Sequence, residues 1–118
     1  MSHQTTLDTE IKDLAALESA AEHLGYRVEH NATVQLYERT ARHENCTAVH
    51  IPGWRYPVAV SDGKIYYDNY EGEWGDVKQL NAFRQRYARD VAVKTAKARG
   101  YRVTETTEGG KLKIKVSR

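Results

Sequence analysis

The chain has few of the residues that cross-link or break a small fold. Among its 118 residues are one cysteine and two prolines. A single cysteine cannot form an internal disulfide, so nothing indicates an oxidising compartment and the fold must rest on its own core. Such low proline content, with only eight glycines, is unlike a disordered or collagen-like chain.

Longer signals are missing as well. No stretch approaches the ~20 consecutive apolar residues of a membrane span. The first six residues contain neither a basic nor an apolar segment, so we expect no secretory signal, no membrane association and a cytoplasmic location. Neither a P-loop (G-x-x-x-x-G-K-[ST]) nor a G-x-G-x-x-G fingerprint occurs, and we expect no cofactor. No catalytic motif is present, and we predict that the protein is not an enzyme.

The length of the chain predicts a single domain, and the positions of its charged residues show an uneven charge distribution. A chain of 118 residues that is 40% hydrophobic suits a single domain over residues 1–118. Residues 1–75 hold six basic and twelve acidic side chains, whereas residues 76–118 hold twelve basic and four acidic ones. This asymmetry either marks a surface for an anionic partner or is neutralised where the two halves pack together.

Periodicity predicts two helices and several short strands. Asp13 and Asp76 resemble N-caps, and Gly25 and Gly100 follow the apolar 3.6-residue patterns, which predicts helices near 13–24 and 76–99. Alternating β-prone residues predict strands at 5–11, 26–30, 33–37, 47–51, 56–60, 64–67, 101–104 and 112–116. The order β-α-β-β-β-β-β-α-β-β predicts an α+β fold, a largely antiparallel sheet with both helices packed on one face.

The predicted connections depend on turn residues. Asn31 predicts a turn, and the polar residues 38–45 predict a loop. Asp62-Gly63 and Gly109-Gly110 lie between β-prone runs and predict hairpins. Gly-Tyr-Arg-Val occurs twice, at 25–28 and 100–103, each time after a helix. This echo is either an internal pseudo-repeat or convergence on a common helix cap.

The second helix has two contrasting faces. Its apolar stripe includes Phe83 and Tyr87, which we expect to be buried. The opposite face carries four cations that we expect to be exposed, namely Lys78, Arg86, Arg89 and Lys97. They form either an ordinary solvated face or a positive stripe for phosphates or an acidic protein groove.

Six of the eleven aromatic residues fall within one span of 21 residues, 54–74, in the middle part of the chain. They are Trp54, Tyr56, Tyr66, Tyr67, Tyr70 and Trp74. Tyr66 and Tyr67 cannot both be in the core, because successive strand residues point to opposite faces. The cluster is therefore divided between core packing and a candidate binding surface, since exposed Tyr and Trp are typical of protein interfaces and of base stacking.

The soft ligands of the chain are not arranged as a typical metal site. His43, Cys46 and His50 have residue types that bind zinc, but Cys46 and His50 would be about 13 Å apart on a strand. A thiolate activated by a neighbouring histidine is the alternative. We assign these three residues to ordinary loop and strand positions.

Two blocks of residues resemble a known family of small uncharacterised proteins, which includes the chloroplast-encoded hypothetical reading frame thirty-five protein and its cyanobacterial relatives. The first block runs from Ser2 to Asp13 and continues with Leu14, Leu17 and Leu24-Gly25-Tyr26. The second consists of Trp74-Gly75, Leu80, Arg86-Tyr87-Ala88, Val91 and Gly100-Tyr101. The resemblance implies a protein partner of the AAA-type ATPase class, and it supplies no catalytic residue.

Two functions fit these observations. The first is a small non-enzymatic accessory or adaptor protein that acts by protein–protein contact through the aromatic middle. The second is an RNA- or DNA-binding module that uses the basic second helix and the lysine-rich last strand, in which lysines alternate with apolar residues over 111–116.

Overall fold

A computed structural model describes residues 4–118. The elements in chain order are β1 (Thr5–Ile11), α1 (Leu14–Leu24), β2 (Arg27–Gln35), β3 (Arg42–His50), β4 (Val58–Ser61), β5 (Gly63–Tyr67), a 3-10 turn (Tyr70–Gly72), α2 (Val77–Ala98), β6 (Arg102–Glu108) and β7 (Lys111–Ser117). The first five strands form an antiparallel sheet in the order β1-β5-β4-β3-β2, and β6 pairs with β7 alone. The α+β prediction is confirmed. Neither helix is long and apolar enough within the described chain to cross a membrane.

Both helices begin at the predicted caps. The Asp13 carboxylate accepts a hydrogen bond from the backbone N–H of Ala16 at 3.0 Å, and the Asp76 carboxylate accepts one from Lys78 at 2.9 Å. These bonds satisfy N–H groups that lack a partner in the first turn of a helix. The bond from Ala16 and the nearby Lys94 ammonium, 2.9 Å from Asp13, lower the pKa of the Asp13 carboxyl.

One face of the five-stranded sheet packs against both helices. The buried cluster on this face contains Ile11, Ala16, Leu17, Ala20, Ala21, Val49, Ile51, Val58, Val60, Ile65, Tyr67, Leu80, Phe83 and Tyr87. Burial of Phe83 and Tyr87 is confirmed. The Tyr87 hydroxyl also accepts bonds from the backbone N–H groups of Lys12 and Asp13, which ties α2 to the start of α1.

The opposite face of the sheet is covered by the tip of the β2–β3 hairpin, which folds back over the strands beside it. A smaller buried cluster on this face joins Ala48 and Ala59 to residues near the tip of the hairpin, such as Leu36. His43 at the start of β3 stacks on Tyr66 of β5 with ring centroids 4.2 Å apart, although β4 separates the two strands. The far half of the hairpin therefore curls back over the sheet.

Two asparagines account for this bend and correct the sequence prediction. Asn31 in β2 and Asn45 in β3 have φ values of 51° and 52°, a left-handed conformation that asparagine tolerates better than most residues. The pairing register shifts on both sides of Ala32. The predicted turn at Asn31 was wrong because the predicted strands 26–30 and 33–37 are one bent strand. The predicted loop at 38–45 was too long, since β3 already begins at Arg42.

The two Gly-Tyr-Arg-Val segments share a helix cap. Gly25 and Gly100 have φ values of 77° and 80°. In each case the following tyrosine donates its N–H to the carbonyl five residues earlier, Tyr26 to Ala21 at 2.8 Å and Tyr101 to Ala96 at 3.0 Å. The strands that follow differ, because β2 joins the main sheet and β6 does not. The echo therefore corresponds to the same local C-terminal cap at both helices.

Candidate binding surface

Four aromatic side chains from three separate segments meet on one surface of the molecule. Trp74 lies at the centre and contacts Tyr37 from the tip of the β2–β3 hairpin, Tyr56 from the segment before β4, and Tyr70 from the loop after β5. We call these four residues the aromatic patch. The bend of the hairpin builds the patch, because it carries Tyr37 across the sheet.

The rings of the patch are closely packed. Tyr70 stacks on Trp74 with ring centroids 4.7 Å apart and an interplanar angle of 24°. Tyr37 and Tyr56 lie 5.4 and 5.6 Å from Trp74 at steeper angles, an arrangement favourable for aromatic pairs. The Arg55 guanidinium carbon lies 4.9 Å from the Trp74 ring centroid, within cation–π range. The patch is therefore organised before any partner binds.

The loop that carries Tyr70 and Trp74 is fixed by backbone hydrogen bonds. The Asn69 carbonyl accepts a bond from the N–H of Trp74 at 2.9 Å, and the Trp74 carbonyl accepts one from the N–H of Arg55 at 2.8 Å. The carboxylate of Asp68, a buried residue, accepts the N–H of Tyr70 at 3.2 Å. Tyr70 has a φ of 45°, a conformation that a bulky residue adopts only when its surroundings hold it there.

The patch combines exposed rings with an acidic surround. Tyr37 is 54% exposed and Tyr70 is 38% exposed, whereas Tyr56 and Trp74 are half-buried beneath them. The segment 68–76 contains four acidic residues and no lysine or arginine. Asp68 is buried, so the exposed acidic residues of this segment are Glu71, Glu73 and Asp76. The outward face of the patch therefore presents aromatic area beside an acidic loop, with the Arg55 guanidinium over the Trp74 ring.

Three predicted aromatic candidates lie elsewhere. Tyr67 is buried in the core beneath the helices, and Tyr66 is half-buried under His43. Trp54 packs against Tyr67 and donates its indole N–H to the Gln79 side-chain oxygen at 3.1 Å. These three rings belong to the packing of the protein rather than to the patch.

The predicted basic stripe on α2 is interrupted. Lys78 and Lys97 are exposed as expected, but the expectation was wrong for Arg86 and Arg89, which are half-buried. Both arginines approach the buried Asp90 carboxylate, with Arg86 Nε at 3.2 Å and Arg89 Nη1 at 2.7 Å from Oδ1. Their charges serve to compensate Asp90, because a buried carboxylate without a partner is costly.

Arg89 has a second partner on the neighbouring strand. Its guanidinium also forms a two-point ion pair with the carboxylate of Glu105 on β6. The hydrogen bonds from Arg89 lower the pKa of the Glu105 carboxyl, and the hydrogen bonds to Glu105 and then Asp90 raise the pKa of Arg89. Arg89 is therefore engaged within the chain and offers little charge to an outside anion.

Sequence reasoning missed two members of this site. The sequence pattern places Tyr37 at the end of a predicted strand, and no motif includes Arg55. Tyr37 is far from Trp74 along the chain, and only the bend at Asn31 and Asn45 brings it to Trp74. Arg55 lies inside the cluster 54–74, but it is not aromatic and therefore carries no signal of its own. A tyrosine followed by a polar segment at a hairpin tip is the one signal that could have suggested Tyr37.

His43, Cys46 and His50 do not meet at one point. Cys46 is 3% exposed and its thiol lies 3.4 Å from the Ala32 carbonyl oxygen. Burial raises the pKa of the Cys46 thiol and lowers the pKa of His43. The His50 ring pairs with Glu29 at 3.1 Å. Within residues 4–118, no group of three potential ligands could hold a metal ion.

A scan against protein-family models and searches of curated proteins and of solved structures found no match to this chain. Membership of the chloroplast reading-frame family stays a prediction from the sequence. The geometry of the aromatic patch is therefore the basis on which a function is assigned.

Proposed function

We propose that this protein is a small non-enzymatic adaptor that binds another protein through the aromatic patch. The observation that carries the proposal is the preorganised cluster of Tyr, Trp and Arg side chains around Trp74, with Tyr37 and Tyr70 exposed. These three residue types dominate the energetic centres of protein interfaces. Rings already held in position lose little conformational entropy on binding.

Protein contact explains this surface better than base stacking does. Trp74 is already stacked by Tyr70 and covered by the Arg55 guanidinium, so its ring is engaged by the chain itself. The three exposed carboxylates of segment 68–76, next to the patch, repel phosphates. A partner segment that combines apolar and basic side chains fits both the rings and the charge. The resemblance suggests an AAA-type ATPase as the first partner to examine.

Replacing the two exposed rings tests the proposal. Tyr37→Ala with Tyr70→Ala should weaken partner binding at least about tenfold, since truncation of a single interface anchor typically costs more than ~1 kcal/mol. Thermal unfolding measures whether the variant remains folded. Affinity for the isolated partner is then measured by titration calorimetry. Leu14→Ala is the matched control, because Leu14 is a large exposed apolar residue on α1, away from the patch.

The partner itself can be found by photo-crosslinking. A photoreactive amino acid at position 37 or 70 should capture a common protein, and the same amino acid at position 14 should not. Equal capture from all three positions, or unchanged affinity of the double-ring variant, would contradict the proposal.

A further inference from the structure

A second surface, independent of the aromatic patch, lies on the ribbon formed by β6 and β7. The two strands pair from Arg102 with Ser117 to Glu108 with Lys111 and do not join the main sheet. Gly109 and Gly110 close the turn with φ values of 60° and 79°, as a two-residue hairpin turn requires. Seven residues in each strand extend about 23 Å.

The two faces of the ribbon differ in chemistry and in orientation. Glu105 pairs with Arg89, so the face that holds Glu105 is turned toward α2. That face also carries Val103 and Ile114, which are half-buried. Alternation along the strands places the opposite set of side chains outward, and all of them are exposed. This outward set, the basic ribbon face, consists of Arg102, Thr104, Thr106, Glu108, Lys111, Lys113, Lys115 and Ser117.

The basic ribbon face has a large surplus of positive charge. It carries four cations and only one carboxylate. That carboxylate belongs to Glu108, which pairs with Lys113 at 2.7 Å. Alternate positions on a strand are about 6.6 Å apart, so the lysines of β7 form an evenly spaced row. This spacing is comparable to that of successive phosphates along one nucleic-acid strand. The cations therefore match a linear polyanion.

We infer that the basic ribbon face binds duplex DNA by entering the major groove. The groove of B-form DNA is about 12 Å wide and admits a two-stranded β-ribbon. Lysine and arginine side chains along the ribbon neutralise phosphates on the groove walls. Thr104 and Thr106 lie in the middle of the face, and their hydroxyl groups can bond to base edges. A-form RNA does not fit, because its major groove is deep and narrow.

A polyanion fits this face better than an acidic protein does. The outward set contains no aromatic and no apolar side chain. Protein interfaces depend on such side chains for their central anchors, whereas nonspecific DNA binding is driven by charge alone. The aromatic patch has the opposite composition, and we therefore assign different partners to the two surfaces.

Charge removal from the ribbon tests the inference. The variant Lys111→Gln with Lys115→Gln removes two cations and spares Lys113, which is paired with Glu108. Affinity for a short fluorescent DNA duplex is measured by anisotropy between about 50 and 200 mM salt. We expect the variant to bind about tenfold more weakly at the lower salt and its log–log salt slope to fall by about two units. The matched control, Arg39→Gln with Lys78→Gln, removes two exposed charges outside the ribbon and should bind as the wild type does.

Four results would overturn the inference. They are absence of salt-dependent DNA binding by the wild-type protein, an equal loss in the control variant, equal affinity for a duplex of RNA, and equally tight binding of polyglutamate. The variant with alanine at positions 37 and 70 should retain full DNA affinity. Failure of this inference is therefore distinguishable from failure of the proposed adaptor function.

Discussion

At the scale of single residues, Gly75 determines how the aromatic patch is joined to the core. It precedes Asp76, the N-cap of α2, and it lies against the indole of Trp54. A Cβ atom at this position would come within 2.3 Å of Trp54 Cδ2. Trp54 cannot easily move away, because its indole N–H is bonded to Gln79 and its ring packs on Tyr67. Glycine is needed here for space.

We expect Gly75→Ala to destabilise the protein by about 1–3 kcal/mol, the usual cost of overpacking a filled site. Chemical denaturation measures the free energy of unfolding. In a Trp54→Ala background the same change should cost much less, because the ring that the new methyl group meets is gone. Equal costs in the two backgrounds would show that the destabilisation does not come from this contact.

At the scale of elements, the ribbon of β6 and β7 depends on its attachment to α2. A two-stranded hairpin alone is at best marginally stable in water, and Val116 on its inner face is still 47% exposed. The ion pair between Arg89 and Glu105 is therefore an important tether. Since the pKa of Glu105 is lowered in the folded protein, the stability that the pair contributes is complete above about pH 4.3, the ordinary value for glutamate. That stability is lost as the pH falls through the lowered value.

Glu105→Gln should loosen the ribbon while the main sheet stays intact. We expect faster amide hydrogen exchange in β6 and β7 at neutral pH and unchanged exchange in β3 and β4. Glu108→Gln is the control, since Glu108 pairs with Lys113 on the outward face and makes no link to α2. Equal loosening by both variants would mean that the tether to Arg89 is not what holds the ribbon.

The elements that depend on local signals could be predicted from the sequence. Both helices begin at the aspartates identified as caps, and the Asp62-Gly63 hairpin forms with positive φ at both residues. The bend of the β2–β3 hairpin could not be predicted. Asn31 and Asn45 do adopt the left-handed conformation typical of turns, but strand pairing continues past both of them. Tertiary packing against the second sheet face thus decided between a turn and a bulge.

The candidate site was only partly predictable for a related reason. Tyr56, Tyr70 and Trp74 were identified because they are close in sequence, whereas Tyr37 joins them through the bend. The two arginines of α2 were misjudged because Asp90 lies on the buried side of the helix, where a carboxylate attracts cations inward. Helical periodicity alone does not show such a charge cluster.

At the scale of the whole molecule, α2 lies between the two proposed surfaces along the chain. The aromatic patch adjoins its N-terminus through Trp74, and the ribbon follows its C-terminus. Substitutions in the two surfaces should therefore be additive, since the sites share no residue and no hydrogen bond or ion pair described above joins them. We expect the variant with glutamine at 111 and 115 to crosslink the partner from position 37 as the wild type does. A loss of crosslinking would show that the two surfaces are coupled.

The length of α2 also determines how strongly charges near its two termini interact with each other through the solvent. Its 22 residues extend about 33 Å; in the chain the acidic segment 68–76 leads into its first turn, and the ribbon follows its last turn and pairs with Arg89 through Glu105. The Debye length is about 8 Å at physiological ionic strength, so the ends are screened from each other there. At 0.01 M salt the Debye length grows to about 30 Å. In such dilute buffer we expect the acidic segment and the basic ribbon face to act together in orienting the ribbon toward a polyanion before contact, so that the association rate constant rises.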